Sequence, residues 1–204
     1  YASVSHFHTE VNGVSVPHGV YVSDSWSPKR SISIGSDDSV EVRTHTSYLY
    51  DEGAGPGVLK GLLTTSRVGL VTGSALSVAS QQLSRVENSY APQDGSAVSG
   101  WSLGQPTLVT TFANGTNSVA VSKTVYNQFG QTVKAVAPGS NGSDARTDVY
   151  VYYTAEANSV FPECGLKPAW QDLLCISQTG ETSPSSKSFV SAYDFQLNPV
   201  TVSE

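Results

Sequence analysis

The segment "VEVRTHTSYLYD" alternates with a period of two. Val40, Val42, Thr44, Thr46, Tyr48 and Tyr50 share one face, while Glu41, Arg43, His45, Ser47, Leu49 and Asp51 share the other. Leu49 apart, this predicts a long strand with one apolar face and one wet face. The same alternation runs through "SVAVSKTVYN" and "RTDVYVYYT", and the apolar run Leu76 to Leu83 also reads as strand. Turn-forming clusters separate these runs at "GAGPG" (53–57), "APQDG" (91–95), Asn114-Gly115 and "PGSNG" (138–142). An all-β architecture follows, an antiparallel ribbon of hairpins. One short helical insertion is predicted over 168–175, because "KPAWQDLLC" puts Pro168 in a first turn and Trp170, Leu173 and Leu174 at helical spacing. Organisation along the chain reads as a poorly patterned β segment (1–39), a body of β repeats (40–178), a polar linker or loop "TGETSPSSK" (179–187) and a final strand pair (188–204).

Composition narrows the class. Charged residues make up only 14% of 204, Met is absent, and the chain begins at Tyr1, so it reads as a processed or excised piece. No apolar run approaches the roughly 18 residues that a membrane helix needs. The formal charge is −6, from 11 Lys and Arg against 17 Asp and Glu, which leaves no basic stripe for phosphates and argues against a nucleic-acid partner. Cys164 and Cys175 flank "GLKPAWQDLL", and two cysteines alone suit one disulfide better than a metal site. A helix from Pro168 to Cys175 rises about 10 Å, and the residues from Cys164 to Pro168 reach back about 13 Å. Closure is feasible, and an oxidising compartment is the expected setting. The sequons at Asn114 and Asn141 coincide with Asn-Gly turns, which hairpins require anyway.

A tyrosine with a polar neighbour recurs before turns: "YLYDEG", "SYAPQDG", "VYNQFGQTV", "VYYTAEAN" and "AYDFQLNPVTV", centred on Tyr50, Tyr90, Tyr126, Tyr153 and Tyr193. This pattern resembles the YD repeat of Rhs proteins, the wall repeat found also in teneurins and in the shell components of bacterial toxin complexes. The stretch Ser143 to Cys175 is similar to the Asp-Ala-Arg-Thr strand and Cys-Gly…Pro-x-Trp…Leu-Leu-Cys insertion of actinobacterial Rhs-repeat proteins. The resemblance covers about residues 40 to 204. It implies a section of a secreted or surface β-shell that encloses or displays a toxin or other polypeptide, with neighbouring repeats or the enclosed segment as partners. It also implies structural roles for Tyr50, Asp51, Tyr126, Gly130, Tyr193, Asp194, Trp170 and the two cysteines. The repeats are degenerate: Ala91, Asn127 and Thr154 stand where Asp is expected, and Gly130-Gln131 and Leu197-Asn198 replace Gly-Arg. Tyr126 reads as a wall residue, its ring across a strand pair and its hydroxyl at the rim.

Motifs for chemistry are sparse, and no catalytic, cofactor-binding or metal-binding residue is expected. "GWSLG" fits the nucleophile elbow around Ser102, yet His6, His8, His18 and His45 all lie upstream and strand-like sequence follows, so a Gly-rich bend is the preferred reading. His6, His8 and Glu10 would share a face of one strand, a chelating spacing that a solvated face also produces. "GAGPG" lacks the Lys and helix of a phosphate loop. Asp37-Asp38 and Asp51-Glu52 read as surface turns. The competing functional class is an extracellular glycan- or protein-binding module using Trp26, Trp101, Trp170 and the ten tyrosines. A hydrolase using Ser102 is the weaker alternative.

Overall fold

The computed structural model describes residues 4–8, 10–11, 14–15, 21–33, 38–55, 60–73, 81–95, 97–114, 117–139, 146–181 and 184–203. The chain divides into two compact units, one of Tyr1–Ala91 with Gly100–Val121 and one of Pro92–Ser99 with Ser122–Glu204. Both are built from hairpins, as the alternation predicts.

In the first unit the strands are β1 (Val4–His8), β2 (Glu10–Val11), β3 (Val14–Ser15), β4 (Tyr21–Trp26), β5 (Arg30–Ser33), β6 (Ser39–Tyr50), β7 (Leu63–Thr72), β8 (Gln81–Ser89) and β9 (Leu108–Ala113). Their hydrogen-bonding order is β1, β4, β6, β7, β8, β9, with β5 beside β6 and β2 paired only to β3. From β6 onward, sheet order is chain order. Pairing is antiparallel throughout, for example Tyr48 opposite Ser66 and Glu87 opposite Thr65. β10 (Asn117–Tyr126) passes from the first unit into the second. There it continues to β11 (Thr132–Gly139), β12 (Thr147–Tyr152), β13 (Leu174–Thr179), β14 (Ser186–Tyr193) and β15 (Pro199–Ser203), again in chain order. The run 74–80, part of the expected Leu76 to Leu83 strand, lies outside the described residues, while Gln81 to Leu83 open β8. The polar stretch 179–187 narrows to a hairpin connection, since Thr179 ends β13 and Ser186 begins β14.

The wet and dry faces of β6 depart from the alternation rule. Arg43 and His45 are buried, whereas Val40 and Val42 are only half-buried. The reason lies on the neighbouring strand. Trp26 pairs with His45 and stacks on it, ring centroids 4.7 Å apart, and the His45 Nε2–H donates to Asp24 at 2.8 Å. A buried polar side chain with a partner is tolerated where an aromatic ring excludes water.

The predicted helix over 168–175 is also replaced. Pro162–Cys164 and Pro168–Trp170 each form a single 3-10 turn, and Leu174 and Cys175 already belong to β13. Proline starts both turns, but β pairing of Leu174 with Tyr152 captures the chain before a helix can propagate. The insertion folds back on the sheet as a cover. Tyr153, Cys164, Cys175 and Ile176 form a buried cluster, packed by Val151, Phe161, Trp170, Leu173, Phe189 and Tyr193. The expected disulfide is present, Cys164 to Cys175 with Cα atoms 5.8 Å apart. Gly165 is needed at this crossing, because a Cβ there would lie 2.4 Å from the Asn158 nitrogen.

Candidate functional site

The recurrent tyrosines form seams between hairpins. Tyr50, at the end of β6, donates its hydroxyl to the Val22 carbonyl of β4 at 3.1 Å. Tyr90, just after β8, donates to the carbonyl of Leu63, first residue of β7, at 2.9 Å. Tyr152, ending β12, donates to Thr132, first residue of β11, at 2.8 Å. Tyr193, ending β14, donates to Leu174, first residue of β13, at 2.6 Å. Three of these bonds tie the end of a strand to the start of the strand before it, and Tyr50 reaches past β5 to β4, a neighbour of β6 in the sheet. A phenol suits the task because its ring fills the gap between strands while its tip satisfies a carbonyl at the ladder's end.

The sequence pattern centres the fourth repeat on Tyr153, but Tyr152 makes the equivalent bond. Tyr153 instead lies under the insertion, 1% exposed, with its hydroxyl donating to the Val190 carbonyl and its ring edge-on to Trp170 and Tyr193. Two adjacent tyrosines gave the sequence no means of assigning these roles. Tyr126, at the end of β10, is buried at 6%. Burial raises the pKa of Tyr90, Tyr152, Tyr153 and Tyr193 above the usual phenol value.

The polar neighbour closes the turn. Asp194 Oδ1 accepts the amides of Gln196 and Asn198, and Asn127 Oδ1 accepts those of Phe129 and Gln131. The two turns match further: Asp194 N donates to Asn198 O as Asn127 N does to Gln131 O. The residue that must turn left-handed is Gly130 (φ 79°) in one and Leu197 (φ 64°) in the other. Each cap uses a single oxygen for both amides, so Asn serves as well as Asp. The Asn198 amide holds the Asp194 carboxyl below the usual carboxylate range, helped by Gln196.

Asp51 works differently. It is 1% exposed, not at the surface as a turn residue would be, and it caps a wider loop. Oδ2 accepts the amides of Lys60 and Gly61, and Oδ1 accepts that of Leu62. Both oxygens are in use, which explains Asp in preference to Asn. Where Asp is missing, other groups step in. Thr107, buried and unremarked in the sequence, donates its hydroxyl towards the Ser89 and Ala91 carbonyls, and Thr154 is absorbed into the insertion through its amide to the Cys164 carbonyl.

Among the described residues the candidates for chemistry are not brought together. Ser102 is exposed on a one-turn helix, α1 (Gly100–Leu103), so "GWSLG" is a helical turn in place of the expected bend. Trp101 beside it stacks on Tyr90 at 4.5 Å. His6 and His8 lie in β1 but Glu10 lies in β2, so they do not share one strand; their side chains, and His18, lie outside the described residues. Asp37, Gly57 and Asn141 also lie outside them. No helix among the described residues is long and apolar enough to cross a membrane. No family model, curated protein or solved structure matches the chain.

Proposed function

We propose that this chain is a structural wall segment of a secreted or surface YD-repeat protein, a β ribbon that encloses or displays a toxin or other polypeptide and has no catalytic role of its own. The observation that carries the reading is the repeated seam: Tyr50, Tyr90, Tyr152 and Tyr193 each fasten a strand to a sheet neighbour earlier in the chain. Stacked units that share edges in sequence order are how repeat proteins extend a surface. The disulfide supports an oxidising, extracytoplasmic setting. Partners on this reading are further repeats of the same polypeptide or the enclosed segment, with neither nucleic acid nor a cofactor.

Cryo-electron microscopy of the natural full-length polypeptide tests this. Further hairpins paired to the open edge of β15, around a space holding another part of the chain, are expected. A segment standing alone with that edge bare overturns it.

Exposed aromatics at two turn tips, Phe129 at 60% and Phe195 at 92%, favour a second reading as a binding module. Binding to a glycan or protein surface that Phe129→Ser and Phe195→Ser abolish, in a protein without further repeats, would select it.

A further inference from the structure

The insertion packs on one face of β12, β13 and β14, and the other face holds a cavity. On the covered face Val151, Ile176 and Phe189 lie side by side in register within the buried cluster, and Lys187 reaches Glu163 of the insertion at 3.1 Å. The opposite face is polar. Residues directly opposite in an antiparallel pair share a face, so Tyr150, Ser177 and Ser188 form one row and Asp148, Thr179 and Ser186 the next. With Arg146, two residues before Asp148, they line a cavity of about 180 Å³. Its two charges cancel: Arg146 Nε–H donates to Asp148 Oδ1 at 3.0 Å, and the Thr179 hydroxyl donates to the same oxygen at 2.7 Å. That leaves Asp148 Oδ2 as an acceptor and the outer guanidinium N–H groups as donors. Beside them stand the hydroxyls of Tyr150, Ser177 and Ser188, none of which is bonded to a described residue.

We infer that this cavity binds a neutral sugar, one pyranose ring lying against Tyr150 with its hydroxyls shared among Asp148, Arg146 and the two serines. A sugar hydroxyl donates and accepts at once, and the lining offers both kinds of partner close together. The Tyr150 ring supplies the flat apolar surface on which the C–H face of a pyranose packs. Because the ion pair is internal, no net charge favours an anion or a cation. At about 180 Å³ the cavity is smaller than a drug-sized pocket, so it holds a single ring and the rest of a glycan stays in solvent. The site lies within the second unit and depends on neither the wall reading nor the turn-tip phenylalanines.

Amide NMR of the whole chain, following Ser177 and Ser188, tests it with the methyl glycosides of glucose, galactose and mannose in separate titrations, and with glycerol and sodium glucuronate as controls. At least one neutral glycoside should give a saturable shift. Affinity should fall about tenfold or more in Asp148→Ala, and about fivefold or more in Tyr150→Leu, which keeps the bulk and removes the ring. Lys187→Gln, on the covered face, should bind as the parent does. The remaining amide resonances check that each variant is folded, and Tyr150→Leu decides the matter alone where Asp148→Ala does not fold. No saturable shift with any of the three glycosides, undiminished affinity in either folded site variant, an equal loss in Lys187→Gln, or a matching response to glycerol or glucuronate would each overturn the inference.

Discussion

Asp51 and Asp194 are the same residue in the same sequence context, yet they do different work. Because Asp51 uses both oxygens in a buried site, Asp51→Asn must turn an amide group towards backbone N–H donors and should cost roughly 1–3 kcal/mol. Asp194 uses one oxygen for both turn amides, so Asp194→Asn keeps the cap and should lose at neutral pH only what ionisation adds, less than Asp51→Asn loses in a urea melt. The acid limb should differ. The folded Asp194 carboxyl releases its proton at lower pH than the unfolded one, so its contribution is present above about pH 4 and is lost as pH falls through the folded value. Asp194→Asn should flatten that part of the pH profile; an unchanged acid limb would show that the cap is not felt. At the neighbouring left-handed position, Gly130→Ala should cost about 1 kcal/mol, and Leu197→Gly should gain up to about 1 kcal/mol by relieving the same geometry.

At the scale of elements, the seams are not equal. Tyr193→Phe leaves the Leu174 carbonyl without its phenol donor and should cost about 1–2 kcal/mol, whereas Tyr90→Phe should cost less, because Asn88 Nδ2 also donates to the Leu63 carbonyl at 2.9 Å. Equal losses in the two variants would contradict a role for carbonyl satisfaction. Reducing the Cys164–Cys175 disulfide should lower stability by roughly 2–3 kcal/mol, through the freedom regained by the unfolded loop, and calorimetry with and without reductant measures it. Much of this was legible in the residues. Period-two alternation located β6, β10 and β12, and the Tyr-Asp pairs marked the turns that open at Asp51 and Asp194. What the alternation could not give was the sign of a face: His45 looks solvated until Trp26 is placed opposite it, and that pairing is a long-range one that no local pattern records. The helix read at 168–175 failed for a related reason, since long-range pairing of Leu174 outweighed local spacing. For the seams, the tyrosines were visible but their acceptors were not, because a backbone carbonyl carries no sequence signature.

Across the whole molecule, the buried and half-buried phenols set an alkaline limit. Tyr90, Tyr152, Tyr153 and Tyr193 hold their protons to higher pH when folded than when unfolded, so their contribution is full below about pH 10 and declines as pH rises above it. Circular dichroism between pH 9 and about 12 should show unfolding that shifts in Tyr153→Phe and Tyr193→Phe; insensitivity to both would place those rings outside the folding unit. At the far end of the ribbon β15 is exposed along its length, with Val200 at 60% and Val202 at 56%, and this is where further pairing is expected. The direction of the seams carries a further consequence. Tyr50, Tyr90, Tyr152 and Tyr193 all reach back to a carbonyl earlier in the chain, while Tyr153 reaches forward, to Val190. A polypeptide emerging from its N-terminus can therefore fasten a hairpin as soon as its tyrosine appears, without waiting for sequence not yet made. On this geometry the Tyr50, Tyr90, Tyr152 and Tyr193 bonds need only sequence already made, whereas the cluster under the insertion waits for β14.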